Sequence, residues 1–150
     1  MINEQWPTFQ VEREGGFTIS TDAARFDVAA IHHFLTAEAY WSIGVSMENV
    51  MRQMQNSLCF GLYAAGKQAG FARVITDFTT FAYLADVFVL RPYRGQGLGK
   101  WLVQTILAHP ELQTLRKWTL NTRDAQGLYR QFGFNNDPRP ENYMVFRLDA

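Results

Sequence analysis

A single cysteine, Cys59, excludes an internal disulfide and a thiolate metal cluster. It lies in Leu58-Cys59-Phe60-Gly61-Leu62, an apolar run that reads as a buried strand. A thiol there behaves as a small hydrophobe, not as a nucleophile. Histidine is nearly as scarce: His32, His33 and His109 show no metal-ligand spacing, and no metal is expected. Charge of one sign is missing too. Fourteen basic and fourteen acidic residues cancel, so no overall field draws nucleic acid or an anionic membrane. The basic clusters are short, Arg91 with Arg94 and Arg116 with Lys117. No apolar run approaches the ~18 residues of a membrane helix. The first residues, Met1 to Trp6, lack the basic and apolar regions of a signal peptide. The expectation is a cytoplasmic chain with no nucleic-acid and no membrane partner. Composition leaves monomer or homodimer open.

Repeats, low-complexity tracts and linkers are also absent. At 150 residues the chain is expected to form one domain, 1–150, with enough length for a core. Residues 1–16 are polar, end in Gly15-Gly16 and read as a loosely held lead-in. Phe17–Ser20 is a short strand candidate. Val28, Ile31 and Leu35 share a face of a helix over Asp27–Tyr40. A second helix starts at Ser46, an N-cap with Glu48 in the first turn, and runs to about Asn56. It carries Met47, Met51 and Met54 at helical spacing. Leu58–Ala64 and Gln68–Thr76 read as a hairpin joined by Ala65-Gly66-Lys67.

The run Phe81–Leu90 is almost wholly apolar, as expected of a central strand covered on both faces. Pro92 ends it. Leu98, Trp101, Leu102, Thr105 and Ile106 follow the period of a helix that Pro110 stops. Lys117–Leu120 reads as a strand, Ala125–Phe132 as a short helix and Tyr143–Leu148 as a last strand. The order β-α-α-β-β-β-α-β-α-β makes an α/β (α+β) fold. The early strands suit an antiparallel meander, and the later β-α-β step requires a parallel crossover. A mixed sheet with helices on both faces follows.

The chemistry is concentrated in Asp86-Val87-Phe88-Val89-Leu90-Arg91-Pro92-Tyr93-Arg94-Gly95-Gln96-Gly97-Leu98-Gly99-Lys100. A buried strand runs into a glycine-rich turn that opens a helix. Glycines at 95, 97 and 99 bare the backbone, and the first-turn N–H groups have no intrahelical partner. With the helix dipole they form a phosphate cradle. Two well-known cradles fail on spacing. The P-loop needs a longer gap before its Gly-Lys and a Ser or Thr after it, where Trp101 stands. The dinucleotide fingerprint needs its third glycine one residue later, and an acid further on where Leu115–Asn121 has none.

Arg94-Gly95-Gln96-Gly97-Leu98-Gly99 fits R-x-x-G-x-G and resembles the acetyl-CoA signature of the GNAT superfamily of N-acetyltransferases. The resemblance includes Val87-x-Val89-x-x-Pro92-x-Arg94 before it and Ala125-x-x-Leu128-Tyr129-x-x-x-Gly133-Phe134 after it. About residues 58–134 take part. It implies a GNAT-like fold and acetyl-CoA as co-substrate. The cofactor would lie where strand 81–90 splays from strand 117–120. Main-chain groups of Val87, Phe88 and Val89 would hold the pantetheine and the acetyl carbonyl. Arg94, Gly95, Gln96, Gly97, Leu98, Gly99 and Lys100 would surround the pyrophosphate. Where many relatives have Asn, this chain has Thr122 beside Asn121, a further coenzyme contact candidate. The acceptor, a primary amine of a small molecule or peptide, would attack the thioester directly. The absence of a Ser/His/Asp or Cys/His set agrees.

By the same resemblance Tyr129 would protonate the departing thiolate; the alternative is a core aromatic. Asp86 is a carboxylate inside an apolar strand. It is either a general base or a structural acceptor with partners. Phe34, Tyr40, Trp41 and Met51 lie on the segment that closes the acceptor side in similar proteins. They line a pocket or pack the helices. The rival to an enzyme is a non-catalytic acyl-CoA-binding sensor.

Overall fold

The computed structural model describes residues 1–148. Six strands form one sheet in chain order: β1 (Gln10–Arg13), β2 (Phe17–Ser20), β3 (Leu58–Ala64), β4 (Lys67–Thr76), β5 (Phe81–Val89) and β6 (Lys117–Thr119). Neighbours are antiparallel except β5 and β6, which run parallel. This is the mixed sheet that the element order demands.

The helices are α1 (Val28–Ala37), α2 (Met47–Gln55), α3 (Leu98–Leu107) and α4 (Gln126–Arg130). Asp27 caps α1 by accepting from the Ala30 N–H at 3.0 Å, and Ser46 caps α2 by accepting from Asn49 at 3.1 Å. Alternation along β3 divides the interior in two. Leu58, Phe60 and Leu62 join Leu98, Leu102, Val103 and Ile106 of α3 on one face. Cys59 and Tyr63 join Ile31, Phe34 and Leu35 of α1 and Val50 and Met54 of α2 on the other. Helices therefore cover both faces. Burial pushes the Cys59 thiol up to about 12, consistent with an inert thiol.

A bulge reshapes β5. Phe71 of β4 faces Phe88 and Arg73 faces Ala85, so Asp86 and Val87 together oppose Ala72. Asp86 takes the left-handed conformation, φ 53°. The extra residue reverses the alternation. Ala82 and Leu84 point to the α3 core, whereas Phe88 points to the α1 core.

Two expectations need correction. Residues 1–16 are not a loose lead-in: Gln10–Arg13 extend the sheet. The Asn3 amide also donates to the Thr21 and Cys59 carbonyls at 2.7 and 2.9 Å, and its side-chain oxygen accepts from the Cys59 N–H. Tyr143–Leu148 is not a strand of this sheet. After Gly133 the chain bends at Pro138 and makes a 3₁₀ turn over Pro140–Asn142. The segment beyond is exposed and pairs with no strand of the described residues.

Candidate functional site

The pairing of β5 with β6 is short. Phe81, Ala82 and Tyr83 face Lys117, Trp118 and Thr119, and there the parallel ladder ends. Beyond Tyr83, β5 runs on to Val89 without β6 beside it. Asn121 marks the point of separation, donating its side-chain N–H to the Tyr83 hydroxyl at 3.0 Å. β6 itself ends at Thr119, so Leu84–Val89 have no parallel partner on that side.

The glycine turn follows the unpaired end of β5. After β5, a single 3₁₀ turn over Arg91–Tyr93 leads to Gly95 and Gly97, at φ 83° and 76°. Side chains rarely adopt this conformation. A Cβ on Gly95 would meet nothing within 4 Å, and one on Gly97 only the Arg13 guanidinium at 3.8 Å. Glycine at 95 and 97 thus serves the turn geometry and leaves the outer side clear for a ligand. Gly97 is the N-cap of α3 and supplies no side-chain acceptor, so the first-turn N–H groups can serve an anion.

Arg94 ties the turn to the strand, its Nε donating to the Val89 carbonyl at 2.7 Å. Lys100 is exposed and Leu98 is buried in the α3 core. Phe88 is buried too, stacked on Phe34 with ring centroids 4.0 Å apart. Only its main chain can face a ligand. Val87 and Val89 are half-buried and pack on the α3 core.

Sequence reasoning missed Arg13. From the end of β1 its guanidinium donates to the Gln96 carbonyl at 2.9 Å and sits 5.7 Å from the Trp101 ring centroid. This adds a cation to the outer wall of the glycine turn. Nothing near Arg13 in sequence signals it, because the β1–β2 hairpin alone brings it there.

Asp86 faces the opposite side of the sheet. Arg73 of β4 donates its Nε to one carboxylate oxygen, and the Trp41 indole donates to the other at 2.7 Å. The side chains of Arg73 and Asp86 are 13% and 7% exposed, a buried ion pair. Arg73 also donates to Ser57 at 3.0 Å. Sequence reasoning missed Arg73, which the register of β4 against β5 places beside Asp86.

Tyr129 is buried on α4, edge-on to Phe134. Burial pushes its hydroxyl up to about 12, with Tyr40 a lesser contributor, so it keeps its proton at neutral pH. Tyr40 is exposed, accepts from the Arg123 backbone N–H at 3.2 Å and lies under the Arg123 guanidinium at 3.7 Å. Thr122 accepts from the Ala125 N–H at 3.0 Å, a hydrogen bond in the turn that leads into α4. Of the proposed acceptor residues, Tyr40 and Trp41 stand at the rim, Met51 is half-buried and Phe34 lies inside the core.

Residues 55–136 match the acetyltransferase (GNAT) domain family. A candidate acetyltransferase of Gibberella zeae is 32% identical over 86% of this chain and 83% of its own length. A candidate GNAT acetyltransferase of Xanthomonas campestris pv. campestris is 42% identical, covering 88% of this chain and 93% of that one, with a TM-score of 0.85. A candidate acetyltransferase of Clostridium acetobutylicum, solved with acetyl-CoA, shares the fold at 12% identity. It covers 95% of this chain and 96% of that one, with a TM-score of 0.61. The chain belongs to the GNAT acetyltransferase family.

Proposed function

We propose that this protein moves an acetyl group from acetyl-CoA directly to a primary amine of a small molecule or peptide. The observation that carries the reading is the parting of β5 from β6 after Tyr83, with the glycine turn at the end of the opened strand. The donor would lie along Val87–Val89. Its pyrophosphate would meet the turn from Arg94 to Lys100, with Arg13 at the outer wall. Acetyl-CoA supplies the activated acyl group. The side chains supply position and protons.

Tyr129 holds a proton for the departing thiolate, and its raised pKa ensures that the hydroxyl is protonated when needed. Asp86 has both oxygens engaged, which favours a positioning role: it holds Trp41 at the rim and Arg73 beneath. Tyr40 and Trp41 would flank the acceptor, while Phe34 supports Phe88 from behind. Thr122 steadies the start of α4, which carries Tyr129.

The test is thiol release with a panel of amines, paired with calorimetry of acetyl-CoA on Gly97→Val. Turnover on at least one amine is expected, with severe loss of affinity in the variant. Strain at the left-handed position costs about 1–2 kcal/mol, so folding is checked by circular dichroism. Unchanged affinity in folded Gly97→Val would overturn the placement. Binding without turnover on any amine would leave a sensor.

A further inference from the structure

The polar face of α2 does not look wholly to solvent. Asn49, Arg52, Gln53 and Asn56 recur at i, i+3, i+4 and i+7, so they share one side of the helix. That side, with Ser57 and two residues of β4, Arg73 and Ile75, walls a cavity of about 450 Å³. Amides, a hydroxyl and two guanidinium groups line it, and no carboxylate of the described residues does.

The two arginines are differently occupied. Arg73 donates its Nε to Asp86 and its Nη1 to the Ser57 hydroxyl. A guanidinium carries five N–H donors, and the Nη2 of Arg73 finds no acceptor among the described residues. Arg52 is exposed and forms no ion pair among the described residues, not even with Glu48 one turn back on the helix. Asp86 answers the charge of Arg73, so the cavity is left with the single positive charge of Arg52. One negative charge balances it. The planar fork of a guanidinium matches a carboxylate, which accepts two parallel N–H bonds.

Arg73 also ties this cavity to the reacting end of the proposed donor site. Its partner Asp86 directly precedes Val87, along whose main chain the acetyl group would lie. Arg73 faces Ala85 in the register, and Val87 is two residues further on. Two strand residues span at most about 7 Å. One small molecule therefore reaches both places, its amine at Val87 and its acidic end in the cavity.

We propose that the acceptor is a small amino acid whose carboxylate sits between Arg52 and Arg73 while its amine faces Val87. This rests on the acetyl-transfer reading and narrows its acceptor from any primary amine to an aminocarboxylate. The reach favours an ω-amino acid, in which a methylene chain separates the two groups.

Steady-state thiol release tests this with β-alanine, 4-aminobutyrate and 6-aminohexanoate, each beside its carboxamide, which keeps the shape and removes the charge. Wild type should favour at least one acid over its amide by tenfold or more in kcat/KM. Arg52→Gln exchanges one good helix former for another at an exposed position, and should bring that ratio close to one. Arg52→Glu should bring it below one. A wild type that uses acid and amide alike would overturn the inference and leave acetyl transfer standing. A preference that survives both changes would seat the carboxylate elsewhere and overturn it too. If no amine releases thiol, the acetyl-transfer reading fails separately, and calorimetry of the same acids and amides decides the cavity. Binding of an acid that depends on Arg52 would support it; equal binding of acid and amide, or none, would overturn it.

Discussion

The indole N–H of Trp41 reaches a carboxylate oxygen of Asp86 at 2.7 Å, joining the loop after α1 to the bulge of β5. Asp86 holds Arg73 with its other oxygen. Asp86→Asn keeps the shape but leaves a buried guanidinium without a counter-charge. The expected loss is about 3 kcal/mol, the lower end for a broken buried pair. Trp41→Phe removes one partly exposed hydrogen bond and should cost no more than about 1 kcal/mol. Urea unfolding of the two variants checks the order. A stable Asp86→Asn with lost turnover would return Asp86 to the role of base.

Arg13 tests whether β1 contributes to coenzyme binding. Arg13→Ala should raise the acetyl-CoA dissociation constant about tenfold, or about 1.4 kcal/mol. That is the scale of one charge-assisted hydrogen bond. Raising the salt concentration should weaken wild-type binding more than that of the variant. Calorimetry at two ionic strengths decides. Equal affinities would confine Arg13 to bracing the Gln96 carbonyl.

Tyr129→Phe keeps the ring against Phe134 and removes the hydroxyl. Turnover should fall by roughly 10²–10³-fold while acetyl-CoA affinity barely changes. The hydroxyl's raised pKa also has a signature. It stays protonated past the ordinary value of 10.0, so wild-type turnover should show no tyrosine-dependent fall below that pH. Steady-state kinetics against pH measure both. Turnover within about threefold of wild type, with chemistry limiting, would leave Tyr129 a packing residue and water the proton source.

Asp77 organises the turn between β4 and β5. One oxygen accepts from the N–H groups of Thr79, Thr80 and Phe81, and the other from the Thr80 hydroxyl. These bonds favour the carboxylate and hold its pKa well below the ordinary 3.8, the Thr80 hydroxyl contributing most. A depressed pKa stabilises the fold above 3.8, and the contribution is lost as pH falls toward the folded value. Asp77→Ala should therefore unfold at lower urea than wild type at pH 7, with a narrower gap at pH 3, where the loss has begun. An equal gap at both values would show that the turn does not depend on the charge.

The glycine turn could be read from sequence because its chemistry is local. Spacing among Gly95, Gly97 and Gly99, a strand before and a helix after are all within reach of one another along the chain. The bulge at Asp86 could not be read. Phe81–Val89 is apolar at nearly every position, so no alternation remains to reveal an inserted residue. The same lack hid the outcome for Phe34. Its helical spacing is visible, but whether it lines a pocket or stacks on Phe88 depends on which way the bulge turns Phe88. Tyr143–Leu148 has the composition of a strand, and composition does not say whose sheet it joins.

By itself the sequence determined the helices, the five strands from Phe17 to Thr119 and the glycine turn that opens α3. Each depends on periodicity, capping or backbone freedom within a few residues. Only the tertiary structure decided that Arg13 stands over Gly97, that Arg73 and Trp41 claim Asp86, and that β6 is the last strand of the sheet among the described residues. Those relationships join residues distant along the chain. Strand register and the bulge set them, and no local energy term encodes either.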